Sequence, residues 1–285
     1  MPIVFVWLWS TGFIGAKYGL PYAEPFTLLL YRMLATIGVL GLVAWWLKSK
    51  WPSINGVAHT AVTGLLVHGL YLGGVFYAIQ DGMPAGVVSI IVGLQPLATA
   101  AVAVVVLREA IAMRQWLGLV LGLVGVTLVM LEKMGGADQA SGFPLWTLLW
   151  TVIALGGISI GTVYQKRYCQ GVELVPGAFV QYCAAAVLFA IGAFAFESRE
   201  VAWELQLILA TGWLVLGLSV GAILLLMQLI RRGAASQVAS LFYLVPPVTA
   251  LEAYILFDER LGVLALCGGL LSVLGVALAV IKTSR

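Results

Sequence analysis

The sequence predicts an all-α integral membrane protein of ten transmembrane helices, arranged as two inverted five-helix repeats. Three observations carry that reading. Apolar runs of membrane-spanning length recur along the whole chain, basic residues gather on one side of the resulting layout, and the second half repeats the first at an offset of 150 positions. Of the 285 residues, 62% are hydrophobic and 9% charged, whereas a soluble domain carries roughly 25% charged residues. The mean hydropathy is +1.07. No basic stretch suits nucleic acid, and no strand alternation suits a β-barrel.

A run of about 20 apolar residues crosses a hydrocarbon layer about 30 Å thick. Charged and turn-forming clusters separate ten such runs here. The first, 2–20, stops at Pro21; it has neither a basic leader nor a small-residue cleavage site and is read as a retained helix. The second, 26–47, follows Pro25 and stops before Lys48 and Lys50. The third, 58–80, ends at Asp81, the fourth, 84–107, at Arg108, and the fifth, 116–131, at Glu132. The sixth, 145–165, follows Pro144 and ends at Lys166 and Arg167. The seventh, 177–196, follows Pro176 and ends at Glu197, and the eighth, 205–230, ends at Arg231 and Arg232. The ninth, 234–257, ends at Asp258, and the tenth, 262–281, at Lys282. The longest connection, 132–144, is too short to form an extramembrane domain.

Orientation follows from the excess of Lys and Arg in cytoplasmic loops. With the N-terminus inside, Lys48, Lys50, Arg108, Arg114, Lys166, Arg167, Arg231, Arg232, Lys282 and Arg285 all fall on the cytoplasmic side. Only Lys133, Arg199 and Arg260 fall outside, where the loops collect acids such as Asp81, Asp138, Glu197, Glu200, Glu204 and Asp258. Both termini are therefore expected in the cytoplasm. One missed or extra helix would scramble this asymmetry.

The repeat is visible without gaps. Leu94, Pro96, Thr99, Ala100, Ala103 and Glu109 fall on Leu244, Pro246, Thr249, Ala250, Ala253 and Glu259; Gly118 and Gly125 fall on Gly268 and Gly275. Tyr18 meets Tyr168 and Lys17 meets Arg167. Arg32, however, meets Tyr182, and Pro84 meets Ala234. Two tandem units of five helices enter the membrane from opposite sides because five is odd, so a pseudo-two-fold axis lies in the membrane plane. The expected units are 1–134 and 145–285.

The paired segments LQPLATAAVAVVVLREAI and LVPPVTALEAYILFDERL, each followed by a Gly-rich helix, resemble the EamA repeats of the drug/metabolite transporter superfamily. The opening WLWSTGFIGAKYGL is similar to the usual start of the first repeat. Within that superfamily the chain looks most like the YddG-type amino-acid exporters. The resemblance implies a secondary transporter in the bacterial inner membrane that moves aromatic and other neutral amino acids outward by alternating access. Export of other metabolites or of cationic drugs remains the alternative within the superfamily. The partners it implies are a small-molecule substrate and the lipid bilayer.

Such transporters bind near mid-membrane where the repeats meet. Polar and aromatic residues about halfway along the spans are Ser10, Thr11, His68, Tyr71, Gln95 and Tyr243. His68 and Tyr71 are three apart, hence on one helical face. Helical stripes add Trp150 and Tyr164 on the sixth span, Trp213 on the eighth, and Ser236, Ser240 and Tyr243 on the ninth. Pro96, Pro246 and Pro247 cannot donate a backbone hydrogen bond, which makes them candidate hinges and leaves the carbonyls of Val92, Phe242 and Tyr243 available to a substrate ammonium. Lys17 and Arg32 lie toward outer span ends, where long stems can snorkel. Glu252 is an intramembrane acid, the usual seat of proton coupling. GxxxG pairs at Gly15, Gly69, Gly118, Gly157 and Gly217 permit close helix contact.

No cofactor or metal is expected. Cys169, Cys183 and Cys267 lie in separate segments without ligand spacing. An intramembrane hydrolase is the remote enzyme alternative, because GISIG at 157–161 matches GxSxG and places Ser159 in a span. GLSVG at 217–221 matches as well, which shows how cheaply a Gly-rich helix yields the pattern, and the nucleophile elbow needs a strand-to-helix turn. No phosphate loop of a primary pump is present.

Overall fold

The computed structural model describes residues 2–107, 112–135, 143–232, 241, 242, 244–257 and 262–280. Helix α1 is Pro2–Gly19 and α2 is Pro25–Trp46. Helix α3 runs Ile54–Gln80, with a π-helical stretch at Leu65–Leu70. Helices α4, Ala85–Val92, and α5, Gln95–Leu107, follow, then α6, Met113–Gly135. Helix α7 is Thr147–Tyr168 and α8 is Leu174–Phe196. Helix α9 joins Leu205–Trp213, a π-helical Leu214–Ala222 and Ile223–Arg232. Helices α10, Val245–Phe257, and α11, Val263–Val280, complete the described chain.

Five of these helices are long and apolar enough to cross a membrane: Pro25–Trp46, Ile54–Gln80, Thr147–Tyr168, Leu174–Phe196 and Leu205–Leu229. The outer surface agrees. Leu42, Trp45, Ile191, Phe194 and Leu209 are each at least 62% exposed, an apolar coat far larger than a water-soluble monomer presents. Local signals set the helix ends. Pro25 occupies the first turn of α2, and the Ser53 hydroxyl caps α3 by accepting the Gly56 N–H at 3.3 Å. Gly82, at φ +95°, ends α3 with its N–H on the Ile79 carbonyl, while the Met83 N–H reaches Ala78.

The 150-residue offset reappears in three dimensions. Gln95–Leu107 maps onto Val245–Phe257 residue for residue, and Leu65–Leu70 falls within Leu214–Ala222, so both π-helical stretches occupy equivalent places. Helix α6 packs along α11, and α2 along α8. The α6–α11 seam is reciprocal. A Cβ on Gly275 would lie 2.6 Å from the Gly118 carbonyl oxygen, and one on Gly125 would strike the carbonyl of Gly268. Gly157 and Gly161 let α7 approach α3, where added Cβ atoms would lie 2.7 Å from the Leu66 carbonyl oxygen and 2.6 Å from Val67 Cγ2.

Two expectations change. The fourth run is not one bent helix, because the chain breaks at Gly93 and Leu94 and restarts at Gln95. Pro96 therefore stands in the first turn of α5, where a missing N–H costs little, and Pro246 and Pro247 stand likewise at the start of α10. The Phe242 carbonyl is also not free, since it accepts the Val245 N–H at 3.2 Å.

Candidate functional site

Near the middle of α3, where the two halves meet, lies a small cavity of about 30 Å³. Trp9 and Phe13 of α1, Arg32 of α2, His68, Tyr71 and Phe76 of α3, and Leu218 of α9 face it. The Trp9 and Tyr71 rings stack at 6.1 Å and 16°, and Phe242 meets Trp9 edge-on at 5.0 Å. The wall is thus mostly apolar, with four aromatic side chains, Trp9, Phe13, Tyr71 and Phe76, and with Arg32 and His68 as its strongest polar groups.

His68 Nε2 lies 3.2 Å from Gln181 Oε1, and its ring stacks on Tyr182 at 4.3 Å. Gln181 also lines a wider recess at the basic end, beside Lys166, Cys169 and Met227, with about 1010 Å³ of space open to the outside. The His68–Gln181 pair consequently separates cavity from recess. Gln181 Nε2 is buried without a partner among the described residues.

At the acidic end, hydrogen bonds tie α2 to α8. Glu197, at the end of α8, accepts the N–H groups of Phe26 and Thr27 at 2.7 Å, the Thr27 hydroxyl at 2.8 Å and the Tyr77 hydroxyl at 2.7 Å. It thereby supplies the acceptor that the first turn of α2 lacks. Glu24, just before α2, returns the contact by accepting the Ser198 N–H and hydroxyl, both at 2.7 Å, and the Arg199 N–H at 3.2 Å. The Ala202 N–H adds a bond to the Tyr22 carbonyl. At the opposite end, Glu173, just before α8, accepts the Lys50 N–H at 3.0 Å. Each helix of the α2–α8 pair is thus preceded by a glutamate that binds backbone beyond the other's C-terminus.

The sequence-derived candidates divide among several places. His68 and Tyr71 line the cavity. Ser10 Oγ lies 2.8 Å from both the Trp7 carbonyl and Glu252 Oε1, at the α1–α10 contact, and Glu252 Oε2 has no partner among the described residues. Gln95 is buried against α7, its amide 3.4 Å from Thr162 Oγ1 and its carbonyl 3.5 Å from the Ser159 hydroxyl. Thr11 accepts the Trp213 indole N–H at 2.9 Å on the outer surface, where Trp213 is 40% exposed. Trp150 lies toward the acidic end and donates to Asp81 Oδ2 at 3.1 Å. Partial burial raises the Asp81 carboxyl above its ordinary range, and the indole hydrogen bond opposes that rise. Tyr164 lies near the basic end, its hydroxyl 2.8 Å from His59 Nδ1. Ser236, Ser240 and Tyr243 lie outside the described residues, as do Asp138 and Glu259.

Trp9, Gln181 and Tyr182 escape sequence reasoning because no local spacing joins them to His68. Arg32 is a correction. It does not snorkel: the residue is 2% exposed, and its guanidinium Nε donates to Ser219 Oγ at 3.0 Å. A lone cation seven residues inside an apolar helix was the available signal.

Two pseudo-equivalent helical halves, an apolar outer coat and a cavity where the halves meet define the class of a membrane transporter. The chain belongs to the EamA-like transporter family, whose profile matches it twice, over residues 2–131 and 145–281. An uncharacterized transporter, YvbV, of Bacillus subtilis (strain 168) is 28% identical, over 97% of this chain and 89% of that protein. An uncharacterized inner membrane transporter, YedA, of Escherichia coli (strain K12) is 29% identical, over 86% of this chain and 78% of its own length. A probable amino-acid metabolite efflux pump of Salmonella typhimurium is 27% identical, over 97% of this chain and 92% of its own. One crystal structure superposes with a TM-score of 0.71 at 21% identity, covering 98% of this chain and 94% of the other, a likeness of fold. Family and relatives make the chain a transporter rather than an enzyme.

Proposed function

We propose that the protein exports neutral amino acids, aromatic ones among them, or closely related metabolites across a bacterial inner membrane by alternating access. The layout in this reading is ten spans in two inverted units, 1–134 and 145–285, with both termini cytoplasmic. The observation that carries it is the small, mostly apolar cavity between the halves, with hydrogen bonds joining α2 and α8 at the acidic end and the His68–Gln181 pair standing between it and an open basic-end recess. The Salmonella relative's name supports the substrate class. The fixed charge facing the cavity is a cation, Arg32, which disfavours cationic drugs. The helix starts at Pro96, Pro246 and Pro247 serve as pivots about the site.

Counterflow in proteoliposomes tests the function: labelled phenylalanine or leucine should exchange saturably, and absence of exchange with any amino acid would refute it. Topology is tested in a cysteine-free background. A cysteine replacing Asp138 should react with an impermeant thiol reagent from outside, and one replacing Ser49 only after permeabilisation; the reverse pattern refutes the inverted layout. His68→Ala removes the ring stacked on Tyr182 and leaves Gln181 Oε1 without its partner. Each such loss is worth about 1 kcal/mol or more, so counterflow of every substrate should fall about tenfold at normal accumulation. An unchanged rate would remove His68 from the pathway.

A further inference from the structure

We infer that Arg32 is the carboxylate-binding residue of the central cavity, so that the cargo is a small carboxylic acid with an apolar body. The inference rests on the transport reading and narrows its substrate class. Seven residues beyond Pro25, Arg32 lies about 10 Å along α2 from its start. Its side chain lines the cavity instead of leaving the protein.

A guanidinium carries five N–H donors in a rigid fork. One is accounted for by the neutral Ser219 hydroxyl. Among the described residues no carboxylate pairs with Arg32, and His68, the other strongly polar group of the wall, points Nε2 at Gln181. A buried cation without a counter-charge is costly. An entering carboxylate offsets that cost, and its two oxygens match the two terminal nitrogens of the fork. The cavity wall also holds Trp9, Phe13, Leu72, Val75, Phe76 and Leu218, which suit an apolar side chain.

The repeat sharpens the point. The position equivalent to Arg32 in the second half is Tyr182, and both converge on Ser219: the Arg32 Nε on its hydroxyl, the Tyr182 hydroxyl on its carbonyl at 3.3 Å. Among the described residues that line the cavity, this near-symmetric frame thus carries one cation, in the first half. It receives one carboxylate in one orientation.

The test compares ligands on the purified protein, by competition binding and by counterflow. Phenylalanine and 3-phenylpropionate keep the carboxylate; phenylalaninamide and 3-phenylpropionamide lack it. Loss of a charge-assisted hydrogen bond corresponds to about tenfold or more in affinity, so the wild-type protein should bind each amide at least about tenfold more weakly than its acid. In Arg32→Gln that difference should vanish, and Arg32→Lys should restore part of it. The wild-type ligand comparison stands even where a variant does not fold. Equal binding of acid and amide overturns the Arg32 assignment and leaves amino-acid transport intact. Selective binding of 3-phenylpropionate without transport of any amino acid does the reverse. If no carboxylate binds, or if inorganic phosphate competes as well as the acids do, the carboxylate site is refuted.

Discussion

Gly64→Ala is expected to prevent stable folding, whereas Gly156→Ala should be tolerated. A Cβ at Gly64 would strike the Gln181 carbonyl oxygen and lie 2.5 Å from Gln181 Cα and 2.7 Å from its carbonyl carbon. Those are backbone atoms, so no rotamer change relieves the clash, and α3 and α8 must separate. Overpacking typically costs about 1–3 kcal/mol and more where the neighbour cannot yield. The damage falls beside His68 and Gln181, so the division between cavity and recess goes with the fold. At Gly156, on the same type of apolar helix, a Cβ meets nothing within 4 Å. There alanine gains up to about 1 kcal/mol of helix propensity. Thermal unfolding and yield of the two purified variants check this. A Gly64→Ala protein with the parent's melting temperature would show that α3 and α8 are not locked at that contact.

The contrast between these glycines also marks what a sequence reveals. Apolar run lengths located the long helices, because a hydrocarbon layer constrains length directly: the run 26–47 became Pro25–Trp46 and 177–196 became Leu174–Phe196. The 150-residue register foretold equivalent positions, and the two π-helical stretches obey it. Which face of a helix meets which neighbour is a different quantity. Trp213 and Trp150 sit at positions that a helical stripe groups with pathway residues, yet the first rests on Thr11 at the outer surface and the second on Asp81. Position along the span puts Arg32 toward an outer end, where a long stem can snorkel, whereas its direction around α2 turns it inward. The Ser10–Glu252 bond joins residues 242 apart in sequence. Such pairings arise only when helices from both halves assemble. The GxxxG rule found Gly157 and Gly161 but not Gly64, whose necessity comes from the Gln181 backbone alone.

The acidic end yields the second large effect: Glu197→Ala is expected to unfasten it, and Glu24→Ala to do so far less. Glu197 is 8% exposed and accepts hydrogen bonds from two first-turn N–H groups of α2 and from the Thr27 and Tyr77 hydroxyls. Hydrogen bonds to a charged group are worth about 1.5–3 kcal/mol each, and donors left buried without an acceptor add a desolvation penalty. Loss of the carboxylate therefore frees α2 from α8 at the acidic end. The bonds of Glu24 to Ser198 and Arg199 are solvent-exposed, so water replaces them at a cost of about 1 kcal/mol or less. Accessibility provides the readout. A cysteine replacing Leu20, which is 6% exposed, is placed in a background lacking Cys169, Cys183 and Cys267 and treated with an impermeant thiol reagent. Labelling should rise severalfold in Glu197→Ala and little in Glu24→Ala, with Glu197→Gln between them because its amide oxygen still accepts. A lowered melting temperature with labelling unchanged would mean that Glu197 holds the fold together without controlling whether this end is open.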